Sequence, residues 1–181
     1  VRLAAFDGAE SPIVQLNAGR THFCARSELG AVWCWGRNAE GQLGEHPTRV
    51  PTPIRLEMPE AATDIALGSY HTCALGQSGA LWCLGRTLNG VLGSQPEPFV
   101  KSATRFEGFP ADDPPVDIES GIVHSCAVLR SGQVRSGHRE NSVVVEAPAR
   151  QLPVDIFYAG RSPAGIDGPQ GAVEPVRYID G

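Results

Sequence analysis

Long apolar runs are missing from this sequence. None approaches the ~18 residues that a membrane-spanning helix needs, and no charged segment leads into an apolar one in the manner of a secretory leader. Helical periodicity is missing too: no window sustains a heptad or a 3.6-residue apolar repeat, which argues against a helical bundle or coiled coil. Positive charge is never concentrated. The 15 Lys and Arg are scattered singly through a chain of net charge −5, so no footprint for a phosphate backbone exists and no nucleic-acid partner is expected. Five cysteines are too few for a disulfide-dense mini-protein. What the chain does have is 21 Gly and 15 Pro spread over 181 residues, with 41% hydrophobic and 19% charged side chains. Such a composition buries a core and punctuates it with turns, so the expectation is an all-β chain of many short strands. The chain begins at Val1 rather than Met, as a mature product or an excised piece would.

The cysteine spacing sharpens the strand reading. Residues 22–44 read HFCARSELGAVWCWGRNAEGQLG, with Cys24 and Cys34 placed symmetrically about Leu29. In a hairpin centred there, the loop is Glu28, Leu29 and Gly30, and a three-residue loop commonly needs a left-handed residue at its third position, which Gly supplies without steric cost. Cys24 and Cys34 then face each other at the ~4.5–5.5 Å Cα separation of antiparallel pairs, which overlaps disulfide geometry. A disulfide is favoured there over reduced core thiols.

The pattern recurs. Residues 68–93, GSYHTCALGQSGALWCLGRTLNGVLG, match residues 19–44 without a gap at a period of 49, which pairs Cys73 with Cys83 and puts Gly79 at the left-handed position. A third copy, residues 121–137 (GIVHSCAVLRSGQVRSG), keeps Cys126 and Gly132 but has Ser136 where the second cysteine would be, so Cys126 is expected to be a free thiol. Residues 154–163, VDIFYAGRSP, match the strand that leads into each G-x-x-H, with Pro163 in the His position. Arg2, Arg55, Arg105 and Arg177 mark the connecting segments. The chain thus divides into repeat 1 (1–53), repeat 2 (54–103), a degenerate repeat 3 (104–147) and a weak partial repeat 4 or C-terminal tail (148–181), all in one repeat domain. Each unit reads as four short strands: an inner one (14–17, 63–67, 116–119), two hairpin strands, and an outer one (52–56, 102–106). PTRVPTP and FPADDPPVD read as loops and edges.

Units of about 50 residues carrying G-x-x-H-T-C-A-L, then V-W-C-W-G-x-N, then G-Q-L-G resemble the regulator of chromosome condensation (RCC1-type) repeat in its secreted, bacterial, cysteine-paired style. The resemblance implies a β-propeller whose blades are four-stranded antiparallel sheets, usually seven to a ring. Three to four units imply an incomplete propeller or open arc, and its uncovered blade edges would invite self-association.

Candidate functional residues can be weighed on this frame. His22, His71 and His124 occupy one position per unit, each three residues after Gly19, Gly68 or Gly121. The favoured reading is a buried group bonding its own blade, the alternative a zinc site of converging histidines. Trp33 and Trp35 alternate with Cys34, as Trp82 does with Cys83, so they are expected to fill the space between blades, with an aromatic ligand platform as the alternative. Asp112, Asp113 and Asp117 read as a solvated loop rather than a calcium site, and residues 138–140 (HRE) as an exposed turn. GRNAEGQLG lacks the Lys and Ser/Thr of a phosphate loop. No catalytic residue, metal site or cofactor is assigned.

Persistent disulfides point to an oxidising, extracytoplasmic compartment, whether periplasm, cell surface or medium. The expected function is a non-catalytic repeat scaffold for protein–protein binding, with contact loops at 38–46, 87–97 and 107–115 and with Arg37, Asn38, Glu40, Arg86 and Asn89 as contact residues. The alternatives are a guanine-nucleotide-exchange-type regulator of a small GTPase, and a hydrolase or lyase with its site in the propeller channel. A blander one is a truncated product that abandons the blade pattern after about residue 135.

Overall fold

The computed structural model describes residue 6 and residues 11–87, 98–122, 125–137 and 143–145. The described residues form three four-stranded antiparallel sheets, each a meander of sequence neighbours. Sheet 1 contains β1 (Ile13–Ala18), β2 (His22–Ser27), β3 (Val32–Arg37) and β4 (Arg49–Leu56). Sheet 2 contains β5 (Ala62–Leu67), β6 (His71–Gly76), β7 (Leu81–Arg86) and β8 (Phe99–Arg105). Sheet 3 contains β9 (Pro115–Ser120), β10 (Ser125–Leu129), β11 (Val134–Gly137) and β12 (Val143–Val145). β5 packs on β1 and β2, and β9 on β5 and β6, so the sheets stack in chain order as an incomplete propeller. No helix among the described residues is long and apolar enough to cross a membrane.

Each hairpin turns on a glycine at the same place: φ is 83° at Gly30, 82° at Gly79 and 88° at Gly132. That turn fixes the register, which pairs Cys24 with Cys34, Cys73 with Cys83 and Cys126 with Ser136. The first two pairs are at disulfide-bonding distance with Cα atoms 4.1 Å apart, and Cys126 is free. The outer strands run longer than their alternation suggests. β4 starts at Arg49 and takes in Pro51 and Pro53, so most of PTRVPTP is strand; an edge strand tolerates Pro because its outer side has no ladder bond to lose. Nor does the pattern stop after residue 135, because β12 pairs with β11 through Val134↔Val145 and Arg135↔Val144 and gives sheet 3 its fourth strand.

The core lies between sheets. Cys24, Cys34, Leu43 and Leu56 of the first unit pack against Ile65, Ala74 and Leu84 of sheet 2. Cys73, Leu75, Leu81 and Cys83 pack in turn against Ile118 and Ala127 of sheet 3, with Phe106 and Phe109 beside them. The space between sheets 1 and 2 is therefore filled by a disulfide and aliphatic side chains, and not by Trp33 and Trp35. Alternation sends those two rings to the opposite face, where Phe6 meets both edge-on at 6.3 and 6.0 Å and Phe23 stacks on Trp35 at 5.7 Å. Trp82, at the position matching Trp33, is only half-buried and donates its indole N–H to Glu60 at 2.8 Å.

Replacing Cys24 and Cys34 together by Ala should lower stability by about 2–4 kcal/mol, since the bridge closes a short loop in the unfolded chain. A urea titration would read this as a lower midpoint, whereas Cys126→Ser should leave the midpoint in place.

Candidate functional site

The face that gathers functional groups is the end of the sheets where β1 turns into β2 and β5 into β6. Its geometry starts with the G-x-x-H turn. His22 is fully buried, and its Nε2 lies 2.9 Å from Thr72 Oγ1, in sheet 2. The Thr72 hydroxyl donates its one proton to the Gln42 carbonyl at 2.8 Å, so His22 must be the donor and carries its proton on Nε2. Its Nδ1 has no partner among the described residues, and burial pushes the ring down from 6.5 to about 4. His71 repeats the contact, with Nε2 2.9 Å from Ser125 Oγ in sheet 3. Both Nε2 contacts therefore cross to the next sheet rather than staying within the histidine's own blade. Position 22 shares a strand face with Cys24, the face turned toward the next sheet, so the nearest hydroxyl belongs to the neighbour. The glycines follow from the same packing: a Cβ at Gly68 would collide with the His71 ring, and one at Gly19 would stand 2.7 Å from His22 Cε1. Gly121 is in the described chain; His124 lies outside the described residues.

The inner strands add polar bonds in the same direction. Gln15 donates to Asp64 at 2.7 Å, and Asn17 to the Ile65 carbonyl at 2.7 Å. Asp64 also accepts from the Ile118 amide at 3.2 Å. Burial and the adjacent Asp64 push the Asp117 carboxyl above its ordinary value.

These bonds bring three turns side by side. Ser69 N donates to the Ile122 carbonyl at 3.4 Å, and a groove of about 410 Å³ opens between Ala18, Arg20, Leu67, Ser69, Ser120 and Ile122. The Ser69 side chain is 2% exposed, yet its hydroxyl has no partner among the described residues. Beside the groove, Arg20 donates to Tyr70 Oη at 3.1 Å, and the Arg20 and Arg86 guanidinium carbons stand 5.9 and 5.5 Å from the Tyr70 ring centroid. Neither guanidinium meets a carboxylate among the described residues, whose one ion pair joins Arg105 and Glu107. The groove end thus presents forked N–H donors, suited to a carboxylate or a row of backbone carbonyls.

Arg37 and Arg86 occupy matching positions at this end, and each amide donates to the turn that carries the next functional residue, Arg37 to Thr21 O and Arg86 to Tyr70 O, both at 2.9 Å. Asn38 is not available for contact. It is buried, donates to the carbonyls of Gly44 at 3.0 Å and His46 at 2.8 Å, and accepts from Leu43 N at 2.7 Å, so it braces its own loop. That loop is a wedge: Gln42 and Leu43 are fully buried between sheets 1 and 2, and the half-buried Glu40 donates its amide to Gln42 Oε1. Asn89, with residues 88–97, lies outside the described residues. In the third loop, Asp113 turns to the opposite end of the sheets, where it accepts from Ser131 N at 2.8 Å and Ser131 Oγ at 2.6 Å; the Ser131 hydroxyl holds its carboxyl below the ordinary value. Asp113 and Asp117 thus serve different partners, and no three metal-ligating side chains cluster among the described residues. Arg20, Ser69 and Tyr70 were missed from sequence. The available signal was that they vary inside a turn whose Gly and His are fixed.

A family model described as Regulator of chromosome condensation (RCC1) repeat matches residues 30–75, and a second of the same description matches residues 13–42 and 62–90. No curated protein matches the chain. Among solved structures, the chain is similar to yeast RCC1 (Prp20) bound to Kap60, at 22% identity and a TM-score of 0.63 over 76% of this chain and 38% of that one. It is similar to human WBSCR16 at 18% identity and a TM-score of 0.64, over 78% of this chain and 42% of that one. The CRINKLY WD40 ectodomain of the Arabidopsis thaliana receptor kinase ACR4 matches at 19% identity and a TM-score of 0.51, over 76% of this chain and 44% of that one. The chain therefore spans about two fifths of each, and the likeness is one of fold.

The His22 geometry gives a signed pH dependence. Its folded value, about 4, lies below the unfolded 6.5, so the unfolded chain binds the extra proton between them. This contribution is whole above pH 6.5 and shrinks as pH falls, with a loss reaching about 3 kcal/mol near pH 4. Urea midpoints should fall across that window, and less steeply in His22→Gln, whose amide can still donate to Thr72.

Proposed function

With residues 13–90 built from repeats of the regulator of chromosome condensation type, we propose that the chain is a non-catalytic scaffold that binds a protein partner through the groove end of its sheets. The observation that carries this reading is the groove itself, lined by Arg20, Ser69 and Ile122 and flanked by the Arg20–Tyr70–Arg86 cluster. A rigid array of turns, each fixed by its Gly and His and varied in between, can gain affinity residue by residue without any catalytic motif. Protein binding is a property of fold relatives: yeast Prp20 is bound to Kap60 in one structure, and its binding to Gsp1p and histones is described with another.

The preferred partner presents acidic side chains or a chain-terminal carboxylate, because the donors at this end are positive or neutral. Two disulfide-paired hairpins support an oxidising, extracytoplasmic site of action. The histidines argue against a channel hydrolase. His22 and His71 form the same bond at two successive interfaces, and at the first the hydroxyl is fully buried and already donates to a carbonyl.

The immobilised chain should capture a partner from the medium of its own source. Arg20→Ala, Tyr70→Ala and Arg86→Ala combined should weaken that capture tenfold or more, at ~1–2 kcal/mol for two of the contacts, while Glu57→Ala at the opposite end should leave it intact. Capture that ignores the triple variant, or acceleration of nucleotide release from a small GTPase, would overturn the reading.

A further inference from the structure

Successive inner strands carry one polar position in common, residue 15 on β1, 64 on β5 and 117 on β9, and it is filled by Gln, Asp and Asp. Between sheets 1 and 2 the bond at this position does not titrate. Gln15 donates its side-chain amide to Asp64 Oδ1 at 2.7 Å, and an amide has no proton to lose. Between sheets 2 and 3 the matching donor is missing. Asp64 Oδ2 and Asp117 Oδ1 both accept from the Ile118 N–H, at 3.2 and 3.1 Å, and the two carboxyls stand in hydrogen-bond contact with each other. Ionised carboxylates only accept, so that contact closes when one of the two holds a proton and donates it to the other.

The surroundings supply no substitute for that proton. From sheet 1 the pair is faced by Gln15, whose Oε1 accepts from Arg26 Nε at 2.9 Å, so this guanidinium reaches the pair only through a neutral amide. Opposite Asp64 on β6 stands Leu75, and opposite Asp117 on β10 stands Val128. Glu119, further along β9, adds negative charge. Among the described residues the one ion pair joins Arg105 and Glu107, so no cation stands at ion-pair distance from either carboxylate. Asp64 is half-buried and Asp117 exposed, so water screens their repulsion without removing it.

The sign of the effect is opposite to that at His22. A carboxyl raised above its ordinary value in the folded chain, as Asp117 is, adds stability below the unfolded value and loses it as pH rises through the folded one. Acid weakens the first interface at His22, and loss of acid weakens the second at the carboxyl pair.

We infer that the Asp64–Asp117 pair is a proton-dependent latch that holds sheet 3 on sheet 2, closed by one shared proton and slackened when that proton leaves. Its place in the fold gives it reach. Asp64 and Asp117 lie on the strands whose last residues, Leu67 and Ser120, form two walls of the groove, so movement of sheet 3 against sheet 2 changes the groove width whatever the groove binds.

The test uses the full chain and two readouts. Urea midpoints of Asp117→Asn and of the parent are compared at each pH from about 3 to 8, so that the change at His22, present in both, cancels. The variant's amide can donate to Asp64 as Gln15 does, so the two midpoints should agree in acid and the variant's should be the higher at neutral pH. Asp64→Asn, which can donate toward Asp117, should show the same divergence, whereas Glu119→Gln, which removes a nearby charge outside the pair, should not. Carbon NMR of the side-chain carboxyls should show Asp64 and Asp117 titrating together in two steps, reduced to one step at Asp64 in Asp117→Asn. Midpoints that differ by the same amount at every pH overturn the inference, as does a rise at neutral pH that Glu119→Gln reproduces in full, or a pair of carboxyls that titrate independently.

Discussion

One buried hydrogen bond, from His Nε2 to the hydroxyl of the next sheet, sets the geometry on which the rest of the molecule depends. Apolar burial outweighs it in energy. Burying Ile65 and Leu84 between sheets 1 and 2 contributes about 1.5–3 kcal/mol each, against about 1 kcal/mol for one net hydrogen bond. The asymmetry lies in the alternatives. Aliphatic groups tolerate a shift of one sheet against another, whereas a shift that carries both His22 and the Gln42 loop away from Thr72 would leave a buried N–H, a buried hydroxyl and the Gln42 carbonyl unpaired together, at about 1–3 kcal/mol each. Apolar contact holds the sheets together, and the polar bond decides where.

That constraint reaches the surface through the turn. A His ring folded against its own G-x-x-H turn requires Gly at the first position and leaves two free to vary. Arg20 and Thr21, then Ser69 and Tyr70, fill those places, so the same geometry that fixes the interface lines up the groups at the groove end. Specificity can change there without disturbing the stack, while a change at Gly19 or His22 would disturb both. The disulfides lie two residue pairs further along the same strands, where they stiffen the hairpins that carry these turns.

Much of this was legible in the sequence because it is local. The hairpin register follows from a turn glycine and a pair of opposed cysteines, and the 49-residue period follows from self-similarity. What was not legible is what crosses between units. Nothing in His22 or its neighbours says that its acceptor is Thr72, because the corresponding residue of its own unit is Phe23. Alternation correctly put Trp33 and Trp35 opposite Cys34, but assigning that face to a blade interface needed the stacking direction, in which sheet 1 stands first. Asn38 is assigned to contact as part of the loop 38–46; its burial depends on Leu43 and Gln42 being drawn under the loop into the core. Arg20 and Tyr70 are 50 residues apart in sequence and meet only because successive turns are superposed.

The most direct test of the account is nitrogen NMR of the His22 ring, assigned by His22→Gln, through a pH titration of the full chain. A neutral ring with its proton on Nε2, persisting to about pH 5 and titrating near 4, is the predicted result. A ring that titrates near 6.5, or one protonated on Nδ1 when neutral, would contradict a buried donor bond to Thr72 and with it the stacking of one sheet on the next.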